Sequence, residues 1–140
     1  MFKTIVVPID LADVAVAKPA LDAAIELARM SGGDLRLVTV RSLMPVTYME
    51  YVPVDFDATA KAEAEAELKV LAASLALPKN KVSTVVRVGS VYGEVLEEAK
   101  ISGADLIVVG SHRPSMATYL IGSNAGTIVR HATCSVLVVR

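Results

Sequence analysis

Gly110, Ser111, His112 and Arg113 stand at the end of an apolar run, Leu106 to Gly110, and lead through Pro114 into a polar loop. The loop closes on Gly122-Ser123-Asn124, directly before Ala125, Ile128, Val129 and Ala132, which recur with helical spacing. A buried strand that passes through a glycine-bearing loop into a helix N-terminus can form an anion-binding corner. The first amides of a helix have no internal partner, and the helix dipole places partial positive charge there. Gly122, Ser123 and Asn124 can hold phosphate through main-chain amides, a hydroxyl and an amide side chain. The same residues are also an ordinary helix N-cap. Gly110 and the 12-residue loop 111–122 favour the ligand, because glycine lets a bound group approach the backbone.

Other residues extend this chemistry. Arg113 offers a planar fork that fits phosphate, and His112 can donate to phosphate or brace the loop. Asp10 ends the first apolar run, Phe2 to Ile9. It can hydrogen-bond a nucleotide, help hold Mg²⁺ through water, or cap the turn after the strand. One carboxylate is too few for a dedicated metal site, so Mg²⁺ would lean on phosphate oxygens. Arg130 and His131 fall in the last turn of the final helix, where positive charge complements the dipole. Cys134, the single cysteine, reads as a packed thiol and leaves no intramolecular disulfide. Ser31-Gly32-Gly33-Asp34 follows a helix and precedes a strand, so it reads as a glycine helix stop rather than a phosphate loop.

The elements that position these residues alternate. Strands are expected at Phe2 to Ile9, Asp34 to Arg41, Lys81 to Val88, Asp105 to Gly110 and Cys134 to Val139. Their β-branched, weakly alternating runs suit strands covered on both faces. The first helix is expected from about residue 16 to 31, with Pro19 near its start. The second runs from an Asp57 cap to about Leu75, along an Ala60, Ala64, Leu68, Leu71, Leu75 stripe and with a Glu65–Lys69 pair. A third carries Val95, Leu96 and Ala99 and stops near Gly103, and the fourth spans 123–132. Residues 42–56 lack a period and carry Pro45, Pro53, Tyr48, Tyr51 and Phe56, aromatics that pack on the sheet rim or cover a ligand.

The order β-α-β-α-β-α-β-α-β predicts one α/β domain over residues 1–140, a five-stranded parallel doubly wound sheet with helices on both faces. In such sheets ligands bind at the carboxyl ends of strands where the winding reverses. With strand order 3-2-1-4-5 that point lies between strands one and four, which end in Pro8-Ile9-Asp10 and Val109-Gly110. Fourteen basic against 15 acidic side chains, with no like-charge block, argue against nucleic acid and anionic membranes as partners. No apolar stretch approaches a bilayer span of about 18–20 residues and no signal-peptide core is visible, so the cytoplasm is the expected location.

Taken together, several stretches resemble the universal stress protein family, and especially its short F/G-type branch. They are Thr4-Ile5-Val6-Val7-Pro8-Ile9-Asp10, the Gly89-Ser90 turn, Ala104 to Val109, Gly110-Ser111-His112, Leu120-Ile121-Gly122-Ser123, Val129-Arg130-His131-Ala132 and Ser135 to Arg140. The resemblance covers essentially the whole chain. It implies an ATP site, with AMP or ADP as other occupants. Pro8, Ile9 and Asp10 would line the adenine and ribose side, and main-chain groups near Val40 would meet the adenine edge. Gly110 would approach the ribose and phosphates, with Ser111, His112, Arg113, Gly122, Ser123 and Asn124 facing the phosphates. It also implies a homodimer or higher oligomer formed through the last strand. ATP-binding members carry Gly-x-x-Gly, nine residues, then Gly-Ser/Thr. Here Arg113 stands where the second Gly is expected, and the next Gly-Ser comes one residue early.

Three functions follow: a nucleotide-binding stress-response sensor or adaptor, a slow ATPase or autophosphorylating protein, and a nucleotide-free interaction module. A phosphorelay receiver is excluded. Strand three ends in Val88-Gly89 with no acceptor Asp, and the acidic pair and the late Lys are missing.

Overall fold

A computed structural model of the chain describes residues 1–42, 56–111 and 123–140. Five parallel strands form one sheet: β1 (Thr4–Pro8), β2 (Asp34–Arg41), β3 (Val82–Val88), β4 (Leu106–Gly110) and β5 (Ser135–Val139). Among the described residues four α-helices flank them: α1 (Val14–Ser31), α2 (Phe56–Ser74), α3 (Val91–Ser102) and α4 (Ser123–His131). The strand order is β3-β2-β1-β4-β5, as the alternation predicts.

The weak alternation of the strands has the expected cause. Ile5 and Val7, with Leu35, Leu37, Leu106 and Val108, pack under α1 and α2. Val6, Val38, Ile107 and Val109 pack on the opposite face under α3 and α4. Both faces of β1 are therefore dry, and Ile5, Val6 and Val7 have no exposed surface. Each such side chain contributes about 1.5–3 kcal/mol of burial.

Helix boundaries differ from expectation in instructive ways. Helix α1 begins at Val14, so Pro19 lies inside it and removes one internal hydrogen bond rather than none. Helix α2 begins at Phe56, which places Asp57 in its first turn, not at the cap. There the Asp57 carboxylate meets Arg41 at 3.0 Å and ties the helix start to the end of β2. Glu65 pairs at 3.8 Å with Lys61, one turn back, instead of with Lys69. Residues 43–55, with Tyr48 and Tyr51, lie outside the described residues.

Two devices hold the amino ends of the strands. Gly32 caps α1 in the left-handed conformation at φ 67°, as the glycine stop predicts. Asp105 accepts the Lys3 amide at 2.9 Å and the Thr4 amide at 3.1 Å, clamping the start of β1 to β4. Burial alone would raise this carboxyl's pKa, but the two amides outweigh it and hold the group below its usual range. A carboxylate lowered in the folded state contributes stability that is present above its unfolded pKa, about 3.9, and is lost as pH falls through the folded value. Asp105→Asn should therefore lower the melting temperature at pH 7, and the gap to the parent should close as both are melted towards pH 2.

Candidate functional site

The switch point between β1 and β4 is where the chain places Pro8, Ile9 and Asp10 on one side and Gly110 and Ser111 on the other. Both strands stay paired with their outer neighbours to their ends, at Pro8↔Val38 and Gly110↔Val139. Their pairing with each other stops earlier, at Val6↔Ile107. The reason is Pro8. Ile9 donates its amide to Val38 of β2 at 2.7 Å, so by alternation the Pro8 backbone faces β4. Pro8 has no N–H to give there. The β1–β4 ladder consequently ends short of the strands' carboxyl ends, and the chains then leave towards opposite faces. That arrangement makes a crevice at the position expected for a doubly wound sheet.

Asp10 is exposed at the mouth of this crevice. Its Oδ1 accepts the Ala12 amide at 3.0 Å and its carbonyl accepts the Asp13 amide at 3.1 Å. Asp10 thus caps the turn from β1 into α1. The first turn of α1 has no acidic residue, and its N-cap residue, Asp13, makes no side-chain cap bond, so the negative charge at this helix start comes from Asp13 and from Asp10 in the preceding turn. Across the crevice, Gly110 lies near the first turn of α1. A Cβ on Gly110 would meet only the Val16 carbonyl oxygen, at an ordinary 3.8 Å. Nothing in the described fold demands glycine at this position. Ser111 is buried, and its amide donates to Val139 at 2.9 Å, which fixes the start of the loop against β5.

Ser123 opens α4, and Asn124 sits half-buried in its first turn. Ala125 and Ile128 anchor the helix against Val6, Ile107 and Val109, which aims its N-terminus at the same end of the sheet. His112, Arg113 and Gly122 lie outside the described residues. Val40 packs its side chain on the α3 face, and its main chain faces the departing end of β1. Among the described residues no group of three or more His, Cys, Asp or Glu side chains can hold a metal ion. A cation such as Mg²⁺ would need a ligand's own phosphate oxygens.

A separate cavity of about 400 Å³ lies between α3 and α4, lined by Leu96, Ala99, Ile107, Ala132 and Cys134, with Lys100 and His131 alongside. It opens beside Gly103–Ala104 and Thr133–Cys134, at the amino ends of β4 and β5, the end of the sheet away from the crevice. Burial pushes the Cys134 thiol's pKa up, which suits a packed thiol rather than a reactive one. The crevice has convergent main-chain groups and two helix N-termini, so it is the better candidate.

Sequence reasoning missed two polar groups. The Thr39 hydroxyl, buried, donates to the Ile9 carbonyl at 2.7 Å. Glu98 is also buried. It joins Arg36 of β2 and Arg87 of β3, and Arg87 continues to Glu94 at 3.1 Å. Desolvation opposes the charge on Arg87, but its hydrogen bonds to Glu98 and Glu94 prevail and raise its pKa. The available signal was a polar residue in an apolar strand for Thr39, and for Glu98, which lies on helix α3, the arginines that interrupt β2 and β3 opposite it.

The model of the universal stress protein family matches residues 1–140. The chain belongs to the universal stress protein family. It is 35% identical over 143 residues to universal stress protein G of Escherichia coli O157:H7, with both chains covered in full. Among solved structures it is similar to the universal stress protein UspA from Lactobacillus plantarum, at 25% identity and TM-score 0.79, covering 99% of this chain and 98% of that one. A universal stress protein in complex with cAMP shares the fold at 23% identity and TM-score 0.65, covering 99% of this chain and 97% of that one. The universal stress protein fold of this chain, order 3-2-1-4-5, is thus what the alternation of elements predicts. No helix among the described residues is long and apolar enough to cross a membrane.

Proposed function

We propose that this universal stress protein binds an adenine nucleotide, ATP first, in the crevice between β1 and β4, and acts as a stress-response sensor or adaptor in the cytoplasm. The observation that carries this is the opened switch point, with Gly110 bare beside it although the described fold leaves room for a methyl group. Ile9 and Pro8 offer an apolar wall for the base and ribose, and Val40 offers main-chain groups. Ser111, Ser123 and Asn124, with His112, Arg113 and Gly122, supply the phosphate side. Arg113 would replace amide contacts of the missing glycine with a charged fork. Mg²⁺ would enter with the phosphates, near Asp10. The cAMP complex of a relative is a property of that protein. It agrees with the class of ligand proposed here, while the likeness itself carries the fold alone.

Gly110→Ala tests the site. Its added methyl meets only an ordinary contact in the protein, so the melting temperature should stay within a few degrees of the parent. Crowding a filled site costs about 1–3 kcal/mol, which is about 5- to 150-fold in affinity. ATP titrations should show that loss, and unchanged affinity would remove the crevice as the site.

The β5 edge carries the proposed homodimer. Among the described residues strand β5 pairs with β4 on one side only, and Leu137 is 36% exposed. An apolar edge of this kind invites two-fold pairing. Sedimentation at micromolar concentration is expected to give a dimer or a larger even oligomer, and a monomer there would refute the pairing.

A further inference from the structure

Just past the end of β1 the chain also parts from β2, and a side chain takes the place of the next rung. In a parallel ladder the amide and carbonyl of one residue point to the same neighbour, and successive residues alternate. After the bond from the Ile9 amide to Val38, the next rung would run from the Val40 amide to the Ile9 carbonyl. That rung is not made, since the β1–β2 pairing ends at Pro8↔Val38. The Ile9 carbonyl instead takes the Thr39 hydroxyl at 2.7 Å, and Thr39 is only 4% exposed. Meanwhile β2 remains paired with β3 through Arg41↔Val88, so it runs straight on while β1 turns away. The Val40 amide is therefore left out of the ladder at the carboxyl rim, on the side of the crevice.

We infer that Thr39 is a positioning residue for the ligand: its hydroxyl satisfies Ile9 and so releases the Val40 amide to donate to a ring nitrogen of a planar heteroaromatic base. This rests on the nucleotide reading above. The hydroxyl substitutes for the amide at a buried carbonyl that must otherwise be paired. Without the hydroxyl, the cheapest donor for Ile9 is the Val40 amide itself, which would close the ladder by one rung and withdraw the donor from the ligand.

Three proteins test it: the parent, Thr39→Val and Thr39→Ser. Amide hydrogen exchange at Val40, followed residue by residue, is the ligand-free readout. It should be fast in the parent and in Thr39→Ser, and slow in Thr39→Val. ATP affinity should fall about tenfold or more in Thr39→Val, the loss of one well-placed donor, and stay within about twofold in Thr39→Ser. ATP should slow Val40 exchange in the parent, a measurement that decides the matter even if Thr39→Val fails to fold. A Val40 amide already protected in the ligand-free parent overturns the inference, as does parent-like ATP affinity in Thr39→Val. A parent that binds no adenine nucleotide overturns the functional proposal, while the exchange rates still judge the role of Thr39.

Discussion

Glu98→Ala is expected to cost the fold about 3–5 kcal/mol, the usual penalty for breaking a buried ion pair by removing one partner. Glu98 is 3% exposed and holds two guanidinium groups, those of Arg36 and Arg87. Removing it leaves both in a face of the sheet that otherwise packs Val6, Val38, Val95 and Ile107. Arg36 keeps Ser83 at 3.0 Å and Arg87 keeps Glu94 at 3.1 Å, so neither is wholly abandoned. The penalty comes from stranded charge and not from the worth of the network as a whole. Replacing Arg36, Glu98 and Arg87 together by apolar side chains should therefore cost less than Glu98→Ala alone. Urea denaturation reads both changes as shifts of the midpoint at constant slope. A loss below about 1 kcal/mol for Glu98→Ala would mean that water reaches the pair and screens it.

Gly33→Ala is expected to be nearly as damaging, by a different route. A Cβ at Gly33 would sit 2.3 Å from the Phe2 carbonyl oxygen and 3.1 Å from that of Lys3. Both obstacles are backbone, so no rotamer change relieves them. Phe2 cannot retreat easily, because its carbonyl also accepts the Ser31 hydroxyl at 2.8 Å and it sits at φ 59°. The expected loss is about 3 kcal/mol, the upper part of the range for overpacking. Gly32→Ala provides the contrast. Nothing lies within 4 Å of that Cβ, and only its φ of 67° is unfavourable, so about 1–2 kcal/mol is expected. Equal melting temperatures for the two variants would mean that the entry to β1 shifts to make room.

The difference between these glycines marks how far the sequence could be read. Ser31-Gly32-Gly33-Asp34 is legible as a helix stop because glycine after a periodic run has one common local cause. That Gly33 is required by the chain entering β1 depends on a contact about 30 residues away, which no local pattern encodes. The same holds for Glu98, whose partner Arg36 is 62 positions distant. Strand order was legible, since strict alternation and right-handed crossovers leave few alternatives. Asp57 shows the opposite failure. Its residue type argues for a cap, but the guanidinium of Arg41 draws it into an ion pair from the first turn. At the site, the positions of Pro8, Asp10 and Gly110 followed from topology. The peeling of β1 by Pro8 and Thr39 did not, because it depends on which neighbour each backbone group faces. His112, Arg113 and Gly122 lie outside the described residues, so their part in the corner stays a proposal.

Calorimetric titration of the purified parent protein with ATP and Mg²⁺, paired with a melting curve at saturating ATP, tests the central claim most directly. One saturable binding site per chain and a rise in melting temperature, as expected when a ligand binds only the folded state, are predicted. No heat and no shift in melting would contradict the account and leave this universal stress protein as a nucleotide-free interaction module.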